Sequence, residues 1–322
     1  MNYKQIGDYY YYLKPIDKGN FSLIYKGYNS KNNTPIIIKK NIKLTNTHVE
    51  KELSILQKLN HINIVKLYEH FYINNEFYFI LEYCNGGNLK QYIETKEKLY
   101  DDKYVFEILS AFEYLYKEKI FHRDIKPTNF VIHNTTIKIT DFGFSKILSN
   151  HLSDSFCGSP MYMSPEILQH HKYTNKSDIW SLGITFYELL LKEYPYKENI
   201  IKNIVSSDNL NIPNCGVFSD MLARMLVKNI SDRIEWNELF LFSWYTERKK
   251  DDFELSFNEL FTESETTERV HIHYDETFLE EKSNSVSIVN NFTGDIDGIT
   301  QGNSYQESFK KSYDSIKQFF SL

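Results

Sequence analysis

Alanine is almost missing from this 322-residue chain, occurring only at Ala111 and Ala223, while Asn, Ile, Lys, Tyr and Phe are abundant. That skew points to an AT-rich coding sequence, so a small residue missing from a motif reflects drift as much as altered chemistry. Cysteine is scarce as well: Cys84, Cys157 and Cys215 lie far apart and share no metal-ligand spacing. An odd, sparse set argues against a disulfide framework and fits a reducing compartment. No apolar run approaches the ~20 residues that span a bilayer. The opening MNYKQIGDYYYY lacks a signal-peptide core, and Asn2 stands where myristoylation needs glycine. The expectation is a soluble intracellular protein, cytoplasmic or nuclear, with no membrane span.

A strong charge of one sign is also lacking. The net charge of −6 supplies no basic field for nucleic acid or anionic lipid, so neither is expected as a partner. The excess acid is local. From Thr246 onward there are 16 acidic and 8 basic side chains, which leaves the preceding residues slightly positive.

What is present divides the chain into parts. Residues 10–83 read as a β-rich lobe, with short apolar runs such as Pro35–Lys39 and Phe77–Glu82 bounded by turn residues. One helix is inserted, where Val49–Leu59 sets Leu53, Leu56 and Leu59 at helical spacing. Residues 88–245 read as helical, with Val105–Tyr116 and Trp180–Leu191 as the clearest stretches. A small β-rich lobe before a larger helical one is a bilobal α+β arrangement with a ligand cleft between the lobes. Residues 246–322 form an acidic tail, irregular at first. It ends on Phe309, Tyr313, Ile316 and Phe320, one face of a helix predicted over 306–321. Residues 306–322 are therefore a candidate docking segment, for a partner or for the chain itself. No internal repeat is present.

The chemistry-bearing residues come in order. His122-Arg123-Asp124-Ile125-Lys126-Pro127-Thr128-Asn129 is followed by Asp141-Phe142-Gly143. Upstream, Lys39 closes the apolar strand Pro35–Lys39, and Glu52 lies on the next helix, within KELSILQKLNHINIVKLY. Asp17-Lys18-Gly19-Asn20-Phe21-Ser22-Leu23-Ile24 precedes both, and CGSPMYMSPE follows at 157–166. Taken in this order over residues 10–245, the set resembles the protein serine/threonine kinases, a two-lobed family. The loop FCGSPMYMSPEIL is most similar to that of the autophagy-initiating kinases, although no counterpart of their long linker and C-terminal domain is expected from these 322 residues.

The resemblance implies ATP and Mg²⁺ as cofactors and protein hydroxyls as substrates. It implies Asp124 as the base for the acceptor hydroxyl, Lys126 against the γ-phosphate, and Asn129 and Asp141 as oxygen ligands of Mg²⁺. Gly143 is expected to free the backbone that turns Asp141 to the metal. Lys39, paired with Glu52, is expected to hold the phosphates. Ile16, Asp17, Lys18, Gly19, Asn20, Phe21 and Ser22 would cover them. Ile24 and Ile37 would roof the adenine above Phe130 or Val131, with Leu81 as gatekeeper and Glu82, Tyr83 and Cys84 as hinge. Two departures stand out: Gly19 alone remains of three glycines, and Ile37 replaces an alanine.

Further expectations follow from the resemblance. Ser159 with Lys126 marks serine/threonine specificity, and Phe144 favours serine acceptors. Thr128, in place of a glutamate, removes a demand for upstream arginine. Glu166 is expected to pair with Arg233. Leu56, Leu67, Phe142 and His122 would stack between the lobes above Asp178. Phosphate on Ser153 or Ser155 would pair with Arg123 and Lys146. The alternative is a scaffold that folds alike but acts by binding. The thinned glycine loop favours it; the full set Lys39, Glu52, Asp124, Lys126, Asn129 and Asp141 opposes it.

Overall fold

A computed structural model describes residues 3–19, 21–42, 46–147, 159–206 and 210–252. Strands β1 (Tyr3–Ile6), β2 (Tyr9–Tyr12), β3 (Asp17–Lys18), β4 (Ser22–Asn29) and β5 (Pro35–Asn41) come first. Helix α1 (Asn46–Leu56) separates them from β6 (Leu67–Ile73) and β7 (Glu76–Glu82). Among the described residues these strands make one sheet of seven, in the order β1-β2-β4-β5-β7-β6 with β3 beside β4. All neighbours are antiparallel. The sheet thus starts at Tyr3, earlier than the residue 10 expected for the lobe.

Alternation along the strands gives the sheet two different faces. Tyr9 and Tyr11 turn inward from β2, and Ile36, Ile38, Tyr78 and Ile80 join them in one cluster. Phe71 of β6 packs on that cluster, its ring 6.2 Å from Tyr9. The β1–β2 turn reaches the same ring: a Cβ on Gly7 would come within 2.7 Å of Phe71 Cζ, and Gly7 sits at φ 55°. Glycine is required there on both counts. The N-terminal hairpin therefore curls the sheet until its turn meets β6.

The other face of β5 and β7 carries Ile37, Lys39, Phe79 and Leu81. In register, Ile37 stands beside Leu81 and Lys39 beside Phe79. This face belongs to the main core, which runs from Val49 and Leu56 of α1 into Ile108, Ile125, Phe142, Ile179 and Leu182.

The helical lobe follows: α2 (Leu89–Glu94), α3 (Asp101–Lys117), β8 (Ile120–Phe121), β9 (Phe130–His133), β10 (Thr136–Ile139) and β11 (Lys146–Ile147). After these come α4 (Pro165–Leu168), α5 (Asn175–Leu191), α6 (Ile200–Val205), α7 (Ser219–Met225) and α8 (Trp236–Leu239). Every residue of α5 from Ser177 to Leu190 is buried, so it is the lobe's axis and not a surface helix. The architecture is the expected bilobal α+β one. Helix ends moved outward at α3 and α5, and α1 stops at Leu56, leaving Leu59 beyond it.

Residues 243–252 are helical. Tyr245 is fully buried, its Oη donating to Glu113 Oε2 at 2.6 Å, and Lys249 meets the same oxygen at 2.9 Å. The expected change of character after Trp244 therefore begins inside an anchored helix. The acidic stretch and the predicted helix over 306–321 lie outside the described residues. Among the described residues no helix is long and apolar enough to cross a membrane.

Candidate active site

Glu52 sits on the buried stripe of α1, between Val49 and Leu56. A carboxylate on an apolar stripe needs a cation. Lys39 provides it from the facing strand, Nζ donating to Glu52 Oε1 at 2.6 Å and to Asp141 Oδ1 at 2.8 Å. Lys39 is therefore the centre of a three-residue cluster assembled from β5, α1 and the turn after β10. Burial alone would lower the lysine pKa, but Asp141 and Glu52 together outweigh it and raise it. The charge of Lys39 holds the Asp141 carboxyl down to about 2, against the opposing effect of burial. Glu52 is pushed up by burial, with Lys39 pulling the other way.

Gly143 makes room for this cluster. A Cβ there would lie 3.3 Å from Asp141 Oδ1, 3.7 Å from Glu52 Oε2 and 3.8 Å from Lys39 Nζ. The expectation that Gly143 supplies the unusual backbone is corrected: the positive φ, 64°, belongs to Asp141 itself. Gly143 matters for its missing side chain.

A second positive φ, 69°, falls on Arg123. Its cause is visible. The N–H groups of His122 and Arg123 both donate to Asp178, at 2.9 and 3.0 Å. Successive amides aimed at one anion need a turn through the left-handed region. His122 is held in turn, with Nε2 3.1 Å from the Thr140 carbonyl and Nδ1 accepting from Asp124 N–H at 3.4 Å. The imidazole is packed edge-on to Phe142, centroids 5.1 Å apart, and works as a structural piece, as expected.

The loop so shaped presents Asp124. Its Oδ2 accepts from Lys126 Nζ at 2.7 Å and from Asn129 Nδ2 at 3.0 Å, while Oδ1 is buried with no partner. Lys126 also reaches Ser159 Oγ at 3.1 Å. Asn129 Nδ2 donates as well to the Asp124 carbonyl at 2.7 Å, which leaves the amide oxygen as the atom for a cation. Thr140 N–H donates to the Asn129 carbonyl at 2.9 Å, tying this loop to the residue before Asp141.

An amide oxygen and a carboxylate held below its usual range are hard oxygen donors of the kind Mg²⁺ takes. Among the described residues no group of three or more His, Cys, Asp or Glu forms a metal cluster. Mg²⁺ needs none, because it retains waters and shares phosphate oxygens. The donor set fits the ion, and the partnerless Asp124 Oδ1 fits an incoming hydroxyl.

The nucleotide-side residues are placed as follows. Asp17 and Lys18 pair with Ile24 and Leu23, and Gly19 N–H donates to the Ser22 carbonyl at 3.0 Å, closing a hairpin. Asn20 lies outside the described residues. Phe21 meets Phe144 edge-on at 6.3 Å, joining the loop to the residue after Gly143. Ile24 and Ile37 are half-buried, Leu81 is buried and Ile16 is exposed. Phe130 is buried within the core, so Val131, half-buried, is the one with surface left for a ligand. Glu82 turns from the cleft to Lys138 at 3.2 Å, and Tyr83 takes a hydrogen bond from Lys26 at 3.0 Å. Burial, with Glu82 beside it, pushes the Cys84 thiol up to about 12.

Glu166 and Arg233 form the expected anchor, two parallel hydrogen bonds of 2.9 Å. Ser153, Ser155, Cys157 and Gly158 lie outside the described residues. One contact escaped the sequence reading: Tyr162 Oη donates to Glu188 Oε2 at 2.6 Å. Its signal was an acid inside the apolar run ITFYELLL, which demands a partner.

The family description "Protein kinase domain" matches residues 10–245. The chain is 35% identical over 278 residues to serine/threonine-protein kinase atg1 of Dictyostelium discoideum, covering 78% of this chain and 41% of that one. It is 32% identical over 252 residues to serine/threonine-protein kinase ULK1 of Homo sapiens, covering 70% and 24%. A putative serine/threonine-protein kinase of Acanthamoeba polyphaga mimivirus is 32% identical over 277 residues, covering 71% and 61%. The chain thus spans between about a quarter and three-fifths of the length of these relatives.

Proposed function

The chain belongs to the protein kinase family, and from that premise we propose that residues 10–245 transfer the γ-phosphoryl of ATP to protein hydroxyls, serine before threonine. Bound ATP supplies the phosphoryl group, and Mg²⁺ supplies charge that offsets its oxygens. Asn129 and Asp141 would hold the ion. Lys39, aimed by Glu52, binds phosphate oxygens. Ile24, Ile37, Leu81 and Val131 bury the base, and the backbone of Glu82, Tyr83 and Cys84 offers it donors and acceptors. Asp124 takes the proton of the acceptor hydroxyl at Oδ1, and Lys126 offsets the charge that develops there. Phe144 narrows the acceptor position and so favours serine.

The observation that carries this reading is the Lys39–Glu52–Asp141 cluster, tied through Thr140 N–H to the loop that holds an Asp124 oxygen without a partner. The test is phosphate incorporation into a generic protein substrate by the full chain purified from cells, wild type against Asp141→Ala. Loss of incorporation in the variant is expected. Equal incorporation in the two would leave the scaffold reading.

A further inference from the structure

Glu188 is an acid on the most enclosed helix of the lobe, its side chain 3% exposed. It stands in the last turn of α5, where the helix dipole disfavours a negative charge. Both carboxylate oxygens are taken. Lys90 Nζ donates to Oε1 at 3.2 Å, and Tyr162 Oη donates to Oε2 at 2.6 Å. The neighbouring Lys192 is committed elsewhere, 2.7 Å from Asp101 Oδ1.

The two donors approach from different places. Lys90 comes from the first turn of α2, and its side chain remains 41% exposed. Tyr162 belongs to residues 159–166, a stretch that, by the kinase resemblance, would seat the residue following the acceptor hydroxyl. Its carbonyl accepts from Ser181 Oγ at 2.7 Å, and its ring meets Tyr194 edge-on at 6.2 Å, so it is held at both ends. Ser159 of the same stretch takes the hydrogen bond from Lys126, which connects it to Asp124. Glu188 is thus one hydrogen bond below the substrate surface, and a solvent-reaching ammonium covers it.

We propose that Lys90 is a specificity-determining residue: by occupying Glu188 from the solvent side, it denies that carboxylate to a basic side chain of the substrate. The inference rests on the kinase reading and extends it to substrate class, namely peptides without arginine or lysine at this subsite. It agrees with Thr128, an exposed neutral residue on the base's own loop. Without Lys90 the carboxylate keeps only Tyr162, and a buried anion with one neutral donor recruits the nearest cation. A substrate arginine is such a cation, able to bind a carboxylate through two N–H groups.

The experiment compares kcat/KM on paired peptides, arginine against a neutral residue at each position flanking the serine. It uses wild type, Lys90→Met, Lys90→Arg and Lys90→Met/Glu188→Gln, with anisotropy of the labelled peptides as a readout free of turnover. Lys90→Met should gain roughly tenfold for arginine over neutral at one position, the gain shrinking with salt. Lys90→Arg should keep the wild-type pattern, and Glu188→Gln should erase the gain. A wild type that turns over the neutral peptide, with an arginine-to-neutral ratio identical in Lys90→Met, overturns the role of the lysine and leaves the kinase reading standing.

Discussion

Lys39 Nζ stands 2.6 Å from Glu52 Oε1, a strand lysine meeting a helix carboxylate where both side chains are more than nine-tenths buried. Their pairing fixes α1 against the sheet and leaves Lys39 able to reach Asp141 at 2.8 Å as well. The pair is therefore a packing element and, on the proposed reading, a charge positioned for phosphate.

Lys39→Met should lower phosphotransfer at least about a hundredfold, because the cation for phosphate oxygens is lost. Glu52→Gln should cost less. The double variant should fall no further than Lys39→Met, since the glutamate acts through the lysine. Steady-state kinetics on all three proteins decides this; additive losses would refute the dependence.

Gly143→Ala places a methyl 3.3 Å from Asp141 Oδ1, beside the cluster. The expected result is a drop in kcat of about tenfold or more, with a melting temperature within a few degrees of wild type. A large loss of stability with normal kcat per folded molecule would assign Gly143 to the backbone instead.

Arg233→Met strips a buried carboxylate of its partner. Burial pushes Glu166 up, yet the hydrogen bonds and charge of Arg233 win and hold it below its ordinary range. Removing one member of such a pair costs about 3–5 kcal/mol, or roughly 10 °C in Tm for a domain of this size. Differential scanning calorimetry should record that fall even though the residues lie outside the chemistry.

His61 gives the pH prediction. Burial, helped by Lys138 and opposed by Glu113, lowers its pKa to about 4. The unfolded chain, near 6.5, binds the proton first as the pH falls, so stability is lost between pH 6.5 and about 4 and levels off below. This contribution amounts to about 3 kcal/mol on the order-of-magnitude linkage relation. Urea midpoints should show a steeper decline for wild type than for His61→Asn across that window; parallel curves would remove His61 as the cause.

Phe144 makes the acceptor prediction. A peptide library should show the wild type preferring serine to threonine by several-fold in kcat/KM, the extra methyl meeting the ring. Threonine preference would sink it.

Spacing made much of this site legible. Lys39 ends an apolar strand, Glu52 interrupts an apolar helix stripe, and Asp124, Asn129 and Asp141 keep the intervals of the kinase signature. The two lobes followed from the change from short apolar runs bounded by turn residues to helical spacing. Other features had no local signal. Tyr3–Ile6 is too polar to announce a strand, and only its partner Tyr9–Tyr12 makes it one. The positive φ of Arg123 follows from Asp178, far along the chain, and that of Asp141 accompanies a contact with Lys39.

The sequence by itself determined which side chains carry charge, where apolar periodicity changes and in what order the chemical groups arrive, because these are properties of residue type and interval. Tertiary structure decided at what distance charges meet, and it alone brought Lys90 and Tyr162 to Glu188. Glu52 chose Lys39, Glu166 chose Arg233, and Glu188 took both Lys90 and Tyr162, because a buried carboxylate is stable only where the fold delivers donors to it.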